Sequence, residues 1–463
     1  GGQRQPLPKS PMRPRPAFLR AKTVQGCAVL LQQFRPQISL LGRLDLSRRA
    51  PPSGRSVRQA AILPCRRFSL FAYRWTKLVS TMTSPTSSAD AVVIVGGGFG
   101  GWFAALAIQK RLPHCRVVLI EPRKEFLFQP LLYELLSHEL QEWEVAPQYN
   151  ELVSHHGICW LQDQVISIDR SNHSLQTRSG DCIPWRQLVI ATGSQPNDFG
   201  IPGVKEHSRG FRNLSDVREL RQRIQDLLHQ RRANAALAIV GAGPTGVELS
   251  CKLADLLNGN ARIHLIEKGD SILPNSSAFN RERASAALER KDVCLHLNAN
   301  VARVEADRVV FAEGEEIEHQ GLIWTAGSQA NVPSVQPSPE LHRGHLAVRA
   351  DLRLQDSFDV FAIGDIAING EDPAPANAQV AMQQGEAVGD AIAALRAGEE
   401  PPTFEFKDRG EMLSLGIGDA TLTGLGITLA GPLAFQLRRA AYLTRMPGLS
   451  VGVRSAGAWL LNR

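Results

Sequence analysis

Two sets of glycines and acids in this chain have the spacing needed to hold a dinucleotide. The first is Gly96, Gly98 and Gly101 with Glu121, and the second is Gly241, Gly243 and Gly246 with Glu267. Each reads G-x-G-x-x-G, with the acid 20 residues past the last glycine in the first set and 21 in the second. The chemistry is that of a pyrophosphate held by backbone. The first glycine makes a tight turn, the second lets the chain approach the phosphates, and the third lets a helix close on a strand. The acid can accept the hydroxyls of an adenosine ribose. Gly100, inside the first run, is taken as part of the same site.

Such groups work only if a strand ends at the first glycine and a helix opens at the turn. Ala91–Val95 is a five-residue apolar run, the mark of a strand buried on both faces, with a helix expected to Arg111 and a second strand over Arg116–Ile120. The second set repeats the pattern with Ala236–Val240, Val247–Leu257 and Arg262–Ile266. Both helices open toward the phosphates with unpaired N–H groups. Leu188–Gly193 and Leu322–Gly327 read as matching strands that end in small-residue turns. Backbone can pass against a bound dinucleotide there, which places Thr192, Gly193 and Gly327 at the two cofactors. Asp359–Asp365 is a last buried strand ending in Gly-Asp. Asp365 could cap a helix, or hold a ribitol hydroxyl of the first cofactor. Helices are expected over Phe211–Arg232 and Pro375–Ala394, and a Leu-rich helical run to Leu140.

The fold class is therefore α/β, with two Rossmann-like domains for two dinucleotides. The expected order is a basic N-terminal segment to 89, a first domain at 90–205 and 329–398, a second inserted at 206–328, and a C-terminal unit from 399.

The net charge of +7 belongs to one end of the chain. Residues 1–81 hold sixteen Lys/Arg and one acid, Asp45, leaving 36 bases against 44 acids in the remainder. The body is mildly acidic, and nothing in it suggests nucleic-acid binding. The Arg-, Ser- and Pro-rich N-terminal segment has the composition of an organelle transit peptide. It reads equally as an upstream piece outside the working protein, with Met82-Thr83-Ser84-Pro85 as a natural start. No two of the seven cysteines lie within four residues of each other, so no C-x-x-C redox or metal motif exists and no metal is expected.

With these features the chain resembles the flavoprotein reductases that carry two dinucleotide-binding domains. Among them it is similar to the type II NAD(P)H:quinone oxidoreductases. The resemblance covers about residues 90–460 and rests on Phe128-Gln129-Pro130-Leu131-Leu132-Tyr133, on Pro244-Thr245-Gly246-Val247-Glu248, and on Ala378-Gln379-Val380-Ala381-Met382-Gln383-Gln384-Gly385. It implies non-covalent FAD on the first fingerprint and NADH or NADPH on the second, with electrons passing to a membrane quinone and no proton pumping. Gly410–Gly416, Gly431-Pro432-Leu433 and Arg438–Pro447 resemble the photosynthetic branch. That implies an acceptor of the demethylphylloquinone or plastoquinone class at a thylakoid-type or plasma membrane. Sulfide:quinone reductases, which need a late second cysteine, are excluded because none follows Cys294.

Hydride transfer by stacking needs no acid or base, whereas reduction of a quinone requires two protons. Glu248, near the start of the second-domain helix, is the candidate proton relay or nicotinamide-positioning group; it could equally be an acid favoured by the helix N-terminus. Gln379 and Gln383 share a helix face. The resemblance puts that face at the flavin, with the amides on the quinone oxygens. Two other readings stand beside this one: a soluble reductase of a small iron–sulfur protein, and a flavoprotein in which NAD(P)H binding drives a partner interaction.

The C-terminal stretch Ala420–Leu437 is uncharged over 18 residues but holds glycines, threonines and Pro432, so it reads as strand, turn and helix start. On the expected helix Pro432–Met446, the arc of Leu433, Leu437, Ala440, Ala441 and Leu443 suits packing on the body. Phe435, Tyr442 and Met446, flanked by Arg438, Arg439 and Arg445, form a second stripe suited to a headgroup plane or a homodimer interface. Trp459–Arg463 adds another apolar–basic edge.

Overall fold

A computed structural model describes residues 90–230, 234–447, 452 and 454; the basic segment 1–81 and Trp459–Arg463 lie outside the described residues. In chain order the elements that build the site begin with β1 (Val92–Val95), α1 (Phe99–Arg111), β2 (Val117–Ile120), α2 (Leu132–Leu136), β3 (Cys159–Leu161) and β4 (Gln187–Ile190). Next come β5 (Ser208–Arg209), α3 (Leu214–Gln230), β6 (Ala236–Val240), α4 (Pro244–Leu257), β7 (Arg262–Ile266), α5 (Ala278–Arg290), β8 (Val293–His296) and β9 (Leu322–Trp324). The chain continues with β10 (Val360–Ala362), α6 (Ala378–Ala397), β11 (Glu411–Ser414), β12 (Ala420–Gly424), β13 (Ile427–Ala430) and α7 (Pro432–Leu443).

The apolar runs become two parallel five-stranded sheets. The first has the order β10-β4-β1-β2-β3 and the second β8-β7-β6-β9-β5. In each, the strand leading into the glycine turn is central. Val92 pairs with both Val117 and Gln187, and Ala238 pairs with both His264 and Leu322. Every residue of β1, β2, β4 and β6 is buried, because each parallel sheet is covered on both faces, by helices such as α1 or α4 on one and by a small sheet on the other. There Val93 and Val95 meet Val165, Ile168 and Leu175, and Ala238 and Val240 meet Val301, Val309 and Phe311. Strand β10 joins the first sheet after the whole second sheet has been made, so the second domain is inserted into the first. Helix α6 then packs along α1, and a Cβ on Gly385 would stand only 2.6 Å from the Gly100 carbonyl oxygen.

Several boundaries differ from expectation for local reasons. Helix α6 starts at Ala378 rather than Pro375 because Asn377 caps it, its Oδ1 accepting from the Val380 N–H at 2.8 Å. Helix α3 starts at Leu214 because Asn213 Oδ1 accepts from the Asp216 N–H at 3.0 Å. The helical run after Tyr133 stops at Leu136, not Leu140, where His138 takes a left-handed conformation. Helix α7 ends at Leu443, not Met446.

The C-terminal unit is a three-stranded antiparallel sheet, β11-β12-β13, followed by α7. Here a face assignment is corrected. Phe435 of α7 is buried on β12 and β13 of the same unit, and Tyr442, with Met446 just beyond the helix end, is buried in the body, whereas Leu433 is 56% exposed and Ala440 is exposed. The stripe expected to meet a membrane is therefore the packed one, and Leu433 and Ala440, expected to pack on the body, point outward. The aromatics offer more area to bury, and Arg438 between them is fully buried against Glu134, an acid from a distant segment.

Candidate functional site

The two fingerprints fold alike down to single hydrogen bonds. Gly96 N–H donates to the Ile120 carbonyl at 2.9 Å, and Gly241 N–H donates to that of Ile266 at 2.7 Å. The next N–H in each turn, of Gly97 and of Ala242, donates to the terminal acid, Glu121 or Glu267, at 2.7 Å. A Cβ on Gly101 or Gly246 would lie 1.8 Å from the carbonyl oxygen of Gly96 or Gly241, so helix and turn touch there. A Cβ on Gly98 or Gly243 would meet nothing within 4 Å. These two residues cap α1 and α4, whose first turns carry no acid and no side-chain cap. Open space before an uncapped helix N-terminus is what a pyrophosphate requires. The residues present thus fit a dinucleotide at each turn.

Around the first turn, Gly100 sits in the opening turn of α1 against Ile363 and Ala381. Gly193 is open on its Cβ side, and Thr192 Oγ1 donates to the Asn331 carbonyl at 2.7 Å. Asp365 accepts from Ser194 Oγ at 2.9 Å, with Arg212 alongside. A cleft of about 390 Å³ opens beside it, lined by Gly364, Gln384, Asn377, Arg349 and Phe404 among others. Gln384, part of the quoted Ala378–Gly385 motif but given no role of its own there, accepts from the Gly364 N–H at 2.6 Å and so fixes the Gly-Asp turn.

Glu121 has a partner that was not anticipated. Arg123 Nε donates to it at 2.7 Å and the Arg123 N–H at 3.0 Å. Burial opposes ionisation, yet the Arg123 hydrogen bond and charge hold this carboxyl below its usual range. The only sequence signal was an Arg two residues past the acid. Glu267 has Gly269 at the equivalent place, whose N–H donates to it at 2.8 Å, and no guanidinium. A 2′-phosphate there would meet an anion balanced by N–H groups alone. Glu267→Gln is therefore expected to raise the NADPH/NADH ratio of kcat/KM about tenfold, the scale of relieving one like-charge contact at a partly screened site. An unchanged ratio would remove Glu267 from cofactor discrimination. Gly327, at the end of β9, lies under the Phe199 ring, which a Cβ there would approach to 2.3 Å. Sequence reasoning gave no role to Phe199.

Glu248 lies in α4 and is buried. Its Oε1 accepts from the Ser414 N–H of β11 at 2.7 Å, and the Tyr133 hydroxyl lies alongside. Burial pushes the Glu248 carboxyl up to about 7, against the pull of Arg438 and of the Ser414 N–H. It is thus poised near neutrality, as a proton relay requires.

Gln379 and Gln383 are brought together, but their amides have protein partners. Gln379 Oε1 accepts from the Arg409 N–H at 2.8 Å. Gln383 exchanges two bonds with the backbone of Lys407, both at 3.0 Å. They hold the segment 407–409 across α6. The same strand of chain then reaches the second domain, where Asn280 donates to Glu411 at 2.6 Å and Ser414 meets Glu248. It forms a strap tied to both dinucleotide domains.

The pyridine nucleotide-disulphide oxidoreductase family matches residues 90–385. The chain is 36% identical over 403 residues to the demethylphylloquinone reductase NdbB of Synechocystis sp., covering 81% of this chain and 99% of that protein. The chain belongs to that family, in the branch of the type II NAD(P)H:quinone oxidoreductases. It is also 30% identical to the alternative NAD(P)H-ubiquinone oxidoreductase C1, chloroplastic/mitochondrial, of Arabidopsis thaliana, over 79% of this chain and 80% of the other. Its fold is that of NDH2 from Plasmodium falciparum in complex with NADH, with a TM-score of 0.71 at 18% identity over 79% of this chain and 96% of that one. As a type II oxidoreductase it uses FAD and NAD(P)H, and the five cysteines among the described residues are free. No helix among the described residues is long and apolar enough to cross a membrane.

Proposed function

We propose that this enzyme oxidises NAD(P)H and reduces a membrane quinone of the demethylphylloquinone or plastoquinone class. The observation that carries this reading is the span of the likeness to NdbB. It covers 81% of this chain and 99% of that reductase; within this chain the strap and α7 supply the Ser414 and Arg438 partners of Glu248. Gly96, Gly98, Gly100, Gly101, Glu121, Thr192, Gly193 and Asp365 would hold FAD. When bound, it supplies the two-electron relay between nicotinamide and quinone. Gly241, Gly243, Gly246, Glu267 and Gly327 would hold NAD(P)H. A hydride brings two electrons and one proton, whereas a quinol needs two electrons and two protons, so one proton must come from water. Glu248 holds that proton at its carboxyl and is buried, where it can be passed on without admitting bulk solvent. Gln379 and Gln383 keep the strap seated; a direct contact with quinone would require them to exchange a strap bond.

The test is steady-state oxidation of NADH and of NADPH by FAD-loaded protein, with a short-chain naphthoquinone or a small iron–sulfur protein as sole acceptor. Turnover is expected with the quinone. Faster turnover with the iron–sulfur protein would favour the soluble-reductase reading.

The outward face of the C-terminal unit supports lying on a membrane without spanning it. Leu425, at the β12–β13 turn, is 67% exposed, and Leu433 of α7 lies outward on the same unit. Both can enter the acyl boundary while the neighbouring chain stays at headgroup level. Replacing both with Glu is expected to abolish flotation with anionic liposomes and activity on a long-chain quinone, while short-chain activity stays within about twofold, since surface changes away from a site are usually mild. Retained flotation would overturn this assignment, and a shift from dimer to monomer without loss of flotation would make the face a homodimer interface instead.

A further inference from the structure

The two domains close their dinucleotide turns alike, with one difference. Gly193 follows the closing strand β4 of the first domain at φ +68°, and Gly327 follows β9 of the second at φ +69°. A Cβ on Gly193 would meet nothing within 4 Å, whereas one on Gly327 would stand 2.3 Å from Cζ of Phe199. The tip of that ring fills the space which the first domain leaves open at the same place. In the second sheet Glu267 follows β7, the glycine turn follows β6, and β6 lies between β7 and β9. A dinucleotide with its adenosine at Glu267 and its phosphates at Gly243 must therefore lead its nicotinamide half across the end of β9. Phe199 stands at that crossing.

The loop that carries the ring is pinned, and the ring is not. Phe199 has φ +53°, a conformation that a bulky residue rarely adopts. Its N–H donates to Asn197 Oδ1 at 2.9 Å, and the Gly200 N–H donates to Asp198 Oδ1 at 2.9 Å. Trp324 Nε1 of β9 donates to the Asn197 carbonyl at 2.9 Å. Ser194–Pro196, just before the loop, pairs with Ser328–Ala330, just after Gly327. Yet the Phe199 side chain is left largely in solvent, the residue being 59% exposed. Strain of this kind collects where a ligand is clamped or admitted.

We propose that Phe199 is an aromatic gate on the second dinucleotide site: its ring covers Gly327 and turns aside to admit the nicotinamide half of NAD(P)H, while the loop beneath it stays fixed. This rests on the reading of Gly241–Glu267 as the NAD(P)H turn. An exposed side chain changes rotamer in nanoseconds or less, so the gate acts on affinity rather than on the rate of the chemical step. A ring with so little around it should stand aside in about one molecule in five, and removing it should then tighten binding about fivefold.

The test is calorimetric titration of the full-length, FAD-loaded protein with NAD+ and, separately, with ADP, which stops at the pyrophosphate. Phe199→Ala is expected to bind NAD+ about fivefold more tightly and ADP as the wild type does. Phe199→Gly, which suits the left-handed backbone, should do the same and serves if the alanine variant does not fold. The half-saturating NADH concentration for flavin reduction should fall by a similar factor. Gly243→Val is the control for the site itself and should abolish NAD+ binding. Weaker NAD+ binding without the ring would make Phe199 a stacking contact, and unchanged binding would make it a surface residue; either overturns the gate. Equal tightening of NAD+ and ADP overturns it too, since the ring would then act on the adenosine half. If NAD+ still binds to Gly243→Val, the placement of NAD(P)H at the second turn fails, and the gate fails with it.

Discussion

Glu248→Gln is expected to slow quinone-dependent turnover by about a hundredfold or more, the usual contribution of a positioned acid–base group. The substitution keeps the shape of the side chain, and its amide oxygen can still accept from Ser414 N–H. What it removes is an exchangeable proton in a buried place. The loss should fall on one half of the reaction. Rapid mixing with NADH should reduce the variant at close to the wild-type rate, whereas reoxidation by quinone should be slow. The wild-type profile should also carry the sign of the group. A carboxyl raised to about 7 is protonated below that pH, so quinone reduction should decline as pH rises through 7, and this limb should vanish in the variant. Equal slowing of both halves would instead make Glu248 a nicotinamide-positioning residue, and no slowing would remove it from the chemistry.

Two glycines three residues apart should fail in different ways. Gly101→Val would drive a side chain into the Gly96 carbonyl, 1.8 Å from the new Cβ, at the point where α1 crosses β1. Neither element can move, since every residue of β1 is buried, with helices on one face and a small sheet on the other. Loss of the folded protein is expected, beyond the roughly 1–3 kcal/mol of ordinary overpacking. Gly98→Val meets nothing within 4 Å, and its backbone, at φ −60° and ψ −167°, suits any residue. That variant should fold with a melting temperature near that of the flavin-free wild type, and emerge colourless because the pyrophosphate can no longer approach. Gly243→Val should do the same to the second turn, leaving the protein yellow but unreactive with NAD(P)H. A yellow Gly98→Val protein would show that the flavin lies elsewhere.

The sequence by itself determined the two dinucleotide turns. Gly96–Glu121 and Gly241–Glu267 each join residues within about 25 positions, and the strand, turn and helix that link them are set by local pattern: apolar runs, glycines where chains touch, an acid one strand later. The mirrored bonds from Gly97 to Glu121 and from Ala242 to Glu267 follow once those elements form. The insertion of one domain in the other was what the family resemblance implied, through the Gly-Asp that follows Phe361. What the tertiary structure alone decided lies where distant segments meet. Arg123 takes a place beside Glu121 that Gly269 cannot take beside Glu267. The amides of Gln379 and Gln383 are spent on the 407–409 backbone, which no reading of their own helix could show. A wheel drawn on α7 has two apolar arcs, and periodicity does not say which one will be offered a surface. The choice fell to Phe435 and Tyr442 because Arg438, lying between them, finds Glu134 304 residues earlier in the chain, and a buried guanidinium is tolerable only where a carboxylate is already buried to receive it.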